Sequence, residues 1–309
     1  MASAVDPLVP RVGIEICPTT MNAVVLGAGD SVVVSRQIAV DGFRPVVEQL
    51  IPLIEELQAE APGFSRVGVA VPGLVDQATR RVAYSANMPE NSSVDLVNEI
   101  KYTTSLDVYI ENDANAAAYG EHKLGAGRGS QNMFYATLGE GVGGAFIFAG
   151  ELWRGAAGFA GEFGYVPINS EGIKLEEVAS ASNIVRRTKE RFHQDSTSSL
   201  NALPNETITL AAIIDAAAKD DDFAQLMLTR TGSYIGTGIA SVINLLNIER
   251  VVVGGAIMKA QHIVLDAITE RAREITFGPA FASTSILAGE LGEEAAAIGV
   301  AYLCGEAAN

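Results

Sequence analysis

The sequence predicts a two-lobed α/β protein in which a β-meander followed by helices occurs twice. Three short apolar stretches open the chain at 11–17, 21–29 and 31–40, and Pro, Gly and Asp residues separate them. A second set begins at 133–138 and crosses the glycine turn LGEGVGG into 143–148. Hydrophobic residues make up 48% of the 309 residues, enough for a substantial core. Duplication of one α/β unit is the simplest explanation of the two sets.

The remaining elements follow from the spacing of apolar residues. In the first half we expect a helix over 46–57, a strand over 66–71, a helix over 95–102, a strand over 106–110 and a helix over 115–123. In the second half we expect a strand at 152–153, a helix over 235–246, a strand over 250–253, a largely helical 257–275 and a closing helix over 293–303. The Ser- and Asn-rich stretch 193–207 predicts a surface loop. The predicted lobes are 1–112 plus 293–309, and 113–292.

The charge balance restricts the partners. Lys and Arg number 21 against 37 Asp and Glu, a formal net charge of −16. Such a chain repels nucleic-acid phosphates and anionic lipid headgroups, so we expect neither nucleic acid nor membrane as a partner. A phosphorylated small molecule is still compatible, because one cleft can carry a local field of the opposite sign.

Cysteine and histidine usage points to the cytoplasm and to no structural metal. The two cysteines, Cys17 and Cys304, are too few for a disulfide framework. The three histidines lie far apart in the sequence, without a nearby Cys or His that would complete a zinc site. Neither a secretory leader nor a membrane-spanning run is recognisable.

The run IENDANAAAYGE at 110–121 places Asp113 where a strand meets a helix, a position that ligands favour in α/β sheets. A carboxylate there can orient a substrate hydroxyl and accept its proton during phosphoryl transfer. The alternative is that Asp113 merely caps the helix. Asn112 suits a sugar hydroxyl but is equally ordinary at a turn.

Two glycine-rich runs follow, LGEGVGGAFIFAG at 138–150 and GAAGFAGEFGY at 155–165. The first can bring backbone N–H groups close to a phosphate, although glycine turns without phosphate are commoner. The second carries Glu162 among small residues, where its carboxylate would pair with a ligand or would simply be solvated.

Taken together, the motifs resemble the ROK family of sugar kinases, open reading frames and repressors. The motifs stand in the family's order over nearly the whole chain: ENDANAAAYGE, LGEGVGG, AGEFGY, LEEVAS at 175–180 and INLLNIERVVVGGAI at 243–257. The resemblance implies an actin/hexokinase-like fold of two ribonuclease-H-like lobes around an ATP and sugar cleft. It also implies a homo-oligomer, a dimer or a tetramer.

Residue by residue, the resemblance implies that Asp113 is the catalytic base for a sugar hydroxyl. The sugar contacts that it implies are Gly73 in VPGLVD, Asn87 in ANMPEN, Asn112, Glu162 and Glu176. Tyr165 stands where the family has a histidine and offers a hydroxyl to the sugar, or simply packs in its loop. The nucleotide contacts that it implies are Thr19, Gly139, Gly141, Gly254 and Gly255, for ATP with Mg²⁺.

Both phosphate loops depart from the family pattern. The family's Asp-x-Gly-Gly-Thr is here Glu15, Ile16, Cys17, Pro18 and Thr19, so only the threonine is kept. Cys17 adds a Cβ and Pro18 lacks an N–H, so the turn offers fewer donors to a phosphate. In the second loop Glu140 replaces the usual threonine. A carboxylate about 4 Å from a phosphate charge costs about 4 kcal/mol at an effective dielectric near 20 unless Mg²⁺ intervenes.

The zinc loop of the family is also absent. Tyr165 replaces the histidine, Lys174 stands in place of the last cysteine, and the segment from 165 to 176 is shorter than usual. No zinc is therefore expected.

Two functions remain open from the sequence. One is an ATP-dependent sugar kinase, glucokinase-like, with a hexose or N-acylhexosamine as acceptor. The alternative is a non-catalytic sugar-binding relative, a sensor or scaffold, that has lost ATP phosphate binding. A repressor is not expected, because the first strand begins near Arg11 and leaves no room for a helix-turn-helix domain ahead of it, and because the charge opposes DNA binding.

Overall fold

The computed structural model describes residues 9–85, 88 and 94–307, which form two compact units. The first unit contains the described residues up to Arg128, together with Leu152–Ala160 and those from Leu291 onward. The second contains Gly129–Glu151 and Gly161–Glu290. The sequence predicts a boundary at 112/113. In the structure, the helix that begins at Asp113 belongs to the first unit instead, because it packs on the C-terminal helix of that unit.

The first unit is built on a five-stranded sheet. Its strands are β1 (Arg11–Ile16), β2 (Thr20–Leu26), β3 (Val32–Ala39), β4 (Arg66–Val71) and β7 (Asp107–Asn112), in the order β3-β2-β1-β4-β7. β1 to β3 are antiparallel, whereas β4 and β7 run parallel to β1. A separate hairpin joins β5 (Leu74–Asp76) to β6 (Arg81–Tyr84). The helices are α1 (Val46–Glu60), α2 (Leu96–Thr104), α3 (Asp113–Lys123) and α10 (Ala295–Glu306).

The core of the first unit lies between the sheet and its helices. α1 buries Leu50, Leu53, Ile54 and Leu57, the 3.6-residue spacing of a single apolar face. α2 starts at a true cap, since the Asp95 side chain accepts from the N–H of Asn98 at 3.2 Å. α10 is buried through most of its length, as Ala295–Cys304 show.

The second unit repeats this arrangement. Its strands are β8 (Met133–Leu138), β9 (Val142–Phe148), β10 (Glu151–Trp153), β11 (Arg250–Gly254) and β12 (Ser285–Ala288), in the order β10-β9-β8-β11-β12. β8 and β9 are antiparallel, and β11 is parallel to both β8 and β12. The helices are α4 (Glu176–Ala179), α5 (Ala181–Lys189), α6 (Leu210–Ala217), α7 (Asp222–Leu246), α8 (His262–Ile275) and α9 (Gly278–Ala282).

The two sheets therefore share one topology, a three-strand meander extended by two parallel strands on the side of its first strand. This confirms the predicted duplication and the α/β class.

Three details differ from the sequence expectations. α7 begins at Asp222 rather than near 235, capped by Asp221, whose Oδ1 accepts from the N–H of Ala224 at 3.0 Å. The segment 257–275 is interrupted, since a 3₁₀ turn at Ala256–Ala260 precedes α8. The expected surface loop 193–207 contains 3₁₀ turns and buries Leu200 in the core of the second unit. Among the described residues, no helix has the length and apolar character required to cross a bilayer.

Candidate functional site

Asp113 is the first residue of α3, directly after the carboxyl end of β7. Its Oδ1 accepts from Nδ2 of Asn112 at 2.9 Å and from the N–H of Ala114 at 2.9 Å. The fold thus presents a partly buried carboxylate at the strand-to-helix junction that the sequence predicted.

The helix cap is Asn112 and not Asp113. Oδ1 of Asn112 accepts from the N–H of Asn115 at 3.0 Å, the bond expected of an N-cap side chain. The alternative in which Asp113 serves only as the cap is therefore wrong. Nδ2 of Asn112 also donates to the carbonyl of Gly73 at 2.9 Å, so two of the predicted sugar contacts lie together.

Gly73 occupies a position that only glycine fits well. Its φ is +115°, and a Cβ would lie 2.9 Å from Cα of Ser85. The third predicted contact of this region, Asn87, lies outside the described residues.

Glu111 supports this junction, a role that could not be recognised from the sequence. The residue is 1% exposed. Its Oε1 accepts from the N–H of Asn112 at 3.0 Å and from Nδ2 of Asn115 at 3.1 Å. Its Oε2 accepts from Nη2 of Arg154 at 2.6 Å, and Tyr109 donates its hydroxyl to the same oxygen at 3.1 Å. One buried carboxylate thus ties the start of α3 to Arg154.

A sequence signal for this network existed but was ambiguous. In the ENDANAAAYGE run, Glu111 is followed directly by Asn112 and Asp113. The sequence does not show which of these three polar side chains faces a ligand. Alternation along β7 does not reveal which carboxylate faces the interior, because Ile110 and Glu111 are both buried. Its partner, Arg154, lies 43 residues away and carries no local sign of the pairing.

The first phosphate-loop region is the turn between β1 and β2. The N–H of Cys17 donates to the carbonyl of Thr20 at 2.8 Å, and Pro18 has no N–H. Thr19 is exposed, and its carbonyl accepts from the N–H of Val40 at 2.9 Å. Neither Cys17 nor Pro18 therefore has a backbone N–H left for a phosphate.

Glu15 lies on β1 near Asp113. Its pKa is raised to about 7, chiefly by burial and to a smaller extent by the charge of Asp113, while a hydrogen bond from Asn22 at 2.9 Å opposes the shift. Burial also raises the pKa of the adjacent Cys17 above its ordinary value, so this thiol stays protonated at neutral pH.

In the second unit, Glu176 supports the glycine turn between β8 and β9. Its Oε2 accepts from the N–H of Val142 at 2.9 Å. A Cβ on Gly141 would lie 2.9 Å from the same oxygen, so glycine makes room for the carboxylate. The N–H of Gly139 donates to the carbonyl of Gly141 at 2.9 Å. Glu140 itself is exposed.

Glu162 and Glu176 lie near one another. Partial loss of hydration raises the pKa of Glu162, and the charge of Glu176 raises it further, although more than a third of Glu162 remains exposed and solvent screens this effect. Glu162 precedes the 3₁₀ turn Phe163–Tyr165. The structure thus brings together the two predicted sugar carboxylates of this unit.

Tyr165 and Lys174 lie at the two ends of the short segment where, from the resemblance, no zinc loop is expected. Nζ of Lys174 lies 4.1 Å from the centroid of the Tyr165 ring, a cation–π contact. The segment is a short hairpin in which the N–H of Ile168 donates to the carbonyl of Ile173 at 2.9 Å. Within the described ranges no group of three or more His, Cys, Asp or Glu side chains is placed to hold a metal ion.

Gly254 and Gly255 lie where β11 ends beside β8. Gly255 has a φ of +90°, and a Cβ there would lie 2.5 Å from the carbonyl oxygen of Leu138. A Cβ on Gly254 would overlap the Tyr135 hydroxyl. The close approach of these two residues to β8 leaves no room for a side chain and therefore explains why both are glycines. Their contact with adenosine stays a prediction.

The duplicated sheets, with carboxylates at the strand-to-helix junction of one unit and beside the glycine turn of the other, define an actin/hexokinase-like α/β protein. The ROK family profile matches residues 11–307. The chain belongs to the ROK family.

The chain is similar to both enzymes and regulators. Glucokinase of Thermotoga maritima is 30% identical over 97% of this chain and 98% of the relative. The xylose repressor of Bacillus subtilis is 26% identical over 94% of this chain and 76% of the relative. A solved ROK family glucokinase from Streptomyces griseus, in complex with glucose and AMPPNP, matches with a TM-score of 0.83 at 27% identity, over 96% of this chain and 99% of that chain.

Proposed function

We propose that this protein is an ATP-dependent sugar kinase, glucokinase-like, that phosphorylates a hexose or N-acylhexosamine. The observation that carries the proposal is the Asp113 carboxylate, fixed at the start of α3 by Asn112 and by the N–H of Ala114. The similarity to a glucokinase over nearly the full length of both chains supports it. The proposal includes a cytoplasmic homo-oligomer with sugar as its small-molecule partner.

In this proposal, Asp113 accepts the proton of the attacking sugar hydroxyl. The two hydrogen bonds at its Oδ1 orient the carboxylate for this role as proton acceptor. Gly73, Asn87, Asn112, Glu162, Tyr165 and Glu176 are the proposed sugar contacts. Each sugar hydroxyl needs a polar partner once it leaves water, which suits this amide and carboxylate set.

Thr19, Gly139, Gly141, Gly254 and Gly255 are the proposed nucleotide contacts. Mg²⁺ bound to a nucleotide keeps phosphate oxygens and waters and needs only one or two protein carboxylates. Glu15, on which the charge of Asp113 acts, and Asp113 itself would supply those carboxylates in this proposal. Bound Mg²⁺ would neutralise charge on the transferred phosphate.

The test is Asp113→Asn. We expect turnover, measured as sugar-dependent ADP release, to fall by about 10²-fold or more, because general-base catalysis contributes about 10²–10⁴-fold. Sugar affinity measured by calorimetry should stay within a few-fold of the wild type. The matched control is Asp107→Asn, which changes an exposed carboxylate at the other end of β7 and should leave turnover intact. Undiminished turnover in Asp113→Asn would contradict the assignment.

A second candidate, a non-catalytic sugar-binding relative, is favoured by one observation. The N–H of Cys17 is already bonded to Thr20, and Pro18 has none, so this turn offers a phosphate fewer donors than a glycine loop. Titration of Mg·ATP with and without hexoses discriminates between the two. Nucleotide binding with ADP release supports the kinase, whereas saturable sugar binding without nucleotide binding supports the sensor.

A further inference from the structure

Arg187 is a buried guanidinium on α5 in the second unit. The residue is 7% exposed. Its Nη2 donates to Oγ1 of Thr231 on α7 at 2.7 Å, and its guanidinium lies 5.5 Å from the centroid of the Tyr234 ring. The guanidinium of Arg187 thus contacts two side chains of α7, Thr231 and Tyr234, and both are neutral.

These contacts leave the guanidinium under-satisfied. Arginine carries five N–H donors, and the buried Nε of Arg187 has no acceptor among the residues that the structure describes. No carboxylate in the described ranges forms an ion pair with this side chain. A buried charge without a counter-charge is costly, so such a group calls for an explanation.

The surroundings add positive charge. Burial lowers the pKa of Arg187, the Tyr234 hydroxyl opposes this shift, and the charges of Arg191, Arg186 and Arg230 lower the pKa further. Arg186 is compensated by Glu190, with Nη1 and Oε1 2.8 Å apart. Arg191 and Arg230 are exposed and form no ion pair within the described part of the chain. In a protein with a formal charge of −16, this is a local concentration of uncompensated cations.

We propose that Arg187 on α5, Arg191 just after the end of α5 and Arg230 on α7 form a binding site for a phosphate-bearing anion. The planar fork of a guanidinium matches a phosphate oxygen pair and gives shorter and stronger hydrogen bonds than a neutral donor does. An anion here gives the Arg187 guanidinium a counter-charge and offsets the charges of Arg191 and Arg230 that act on it. The site is independent of the proposed kinase reaction, because it uses none of the residues assigned to sugar or nucleotide.

The experiment is calorimetric titration of the full chain with inorganic pyrophosphate and, separately, with glucose 6-phosphate. These two probes separate an inorganic phosphate chain from a phosphorylated sugar. Arg191→Met and Arg230→Met change exposed side chains and are expected to fold normally. Arg187→Met and Arg187→Lys test the buried group, and circular dichroism establishes that each is folded. Arg44→Met, at an exposed arginine of the first unit, removes the same charge elsewhere.

We expect saturable binding of at least one probe by the wild type. Arg187→Met, Arg191→Met and Arg230→Met should each weaken it by about tenfold, the cost of a lost charge-assisted hydrogen bond, and Arg44→Met should leave it unchanged. Arg187→Lys should recover only part of the affinity, because an ammonium cannot form the paired contact. Absence of saturable binding, or binding that survives Arg191→Met and Arg230→Met, would overturn the site whether or not the protein is a kinase.

Discussion

The interaction of Glu111 with Arg154 shows how a single buried carboxylate fixes the position of a candidate catalytic group. Glu111 contacts the backbone of Asn112 and the side chain of Asn115, so a shift of Glu111 would displace the first turn of α3. Arg154 supplies the counter-charge, with its side chain 28% exposed against 1% for Glu111. The position of Asp113 therefore depends on a residue that touches no substrate in the proposal.

Arg154→Met should lower the free energy of unfolding by about 2–3 kcal/mol, less than the cost of about 3–5 kcal/mol for breaking a fully buried pair, because Arg154 retains solvent contact. Urea denaturation measures this change. The control is Arg36→Met, which removes an exposed arginine paired with Glu60 and should cost less than about 1 kcal/mol. Equal effects of the two substitutions would show that Glu111 does not depend on Arg154.

Glu15 predicts a pH dependence of stability. Its folded-state pKa is raised from 4.5 to about 7, so the folded protein binds a proton that the unfolded chain has released between these values. The contribution of Glu15 to the free energy of unfolding is therefore lost as the pH rises from about 4.5 to 7. Above pH 7 this contribution does not return.

Glu15→Gln should remove that loss. We expect the variant to match the wild type near pH 4.5 and to be more stable by about 3 kcal/mol at pH 8, measured by urea denaturation across this range. Glu55→Gln, at an exposed position of α1, should follow the wild type in parallel. A Glu15→Gln profile parallel to the wild type would exclude a protonated Glu15.

At the scale of elements, α3 and α10 approach so closely that side chains are excluded between them. A Cβ on Gly299 would overlap the carbonyl oxygen of Ala116 and lie 2.7 Å from the N–H nitrogen of Gly120. A Cβ on Gly120 would lie 3.0 Å from the nitrogen of Gly299. This contact places α3 in the first unit, and its N-terminus carries Asp113.

Gly299→Ala should destabilise the protein by about 2–4 kcal/mol, because backbone atoms must move to admit the methyl group. Thermal unfolding followed by circular dichroism measures the effect. Gly278→Ala, where nothing lies within 4 Å of the added Cβ, should change stability by no more than about 1 kcal/mol. Similar melting temperatures for both variants would contradict the close packing.

The start of α7 at Asp222 could not be predicted from the local sequence. Its first half contains Thr229, Thr231, Gly232 and Ser233, which are weak helix formers. Packing on α8 overrides this preference, since a Cβ on Gly232 would lie 2.7 Å from the carbonyl of Val264. The helix is therefore stabilised by a partner element that the local sequence does not reveal.

At the scale of the whole molecule, the charge of −16 sets which large partners are compatible. Some similar proteins are repressors, such as the xylose repressor of Bacillus subtilis. DNA affinity depends on neutralising phosphates with Lys and Arg, and this chain has 37 acidic residues against 21 basic ones.

We expect no duplex DNA binding by this chain between about 50 and 200 mM salt, measured by fluorescence anisotropy. A polycationic DNA-binding protein serves as the positive control. Saturable binding that weakens steeply with salt would contradict the charge argument and would support a regulatory role.

The amino-acid sequence alone specifies the duplicated α/β topology, the family and the junction that carries Asp113, because apolar periodicity and local motifs depend on residues that are close together in the chain. It did not determine that Asn112 is the cap, that Glu111 is buried or that Arg154 is its partner. Nor did it reveal that Arg187 has no counter-charge among the residues that the structure describes, since each of these facts depends on which distant residues meet. Local pattern specifies elements and motifs, whereas burial and pairing arise only when chain segments far apart in sequence exclude water together.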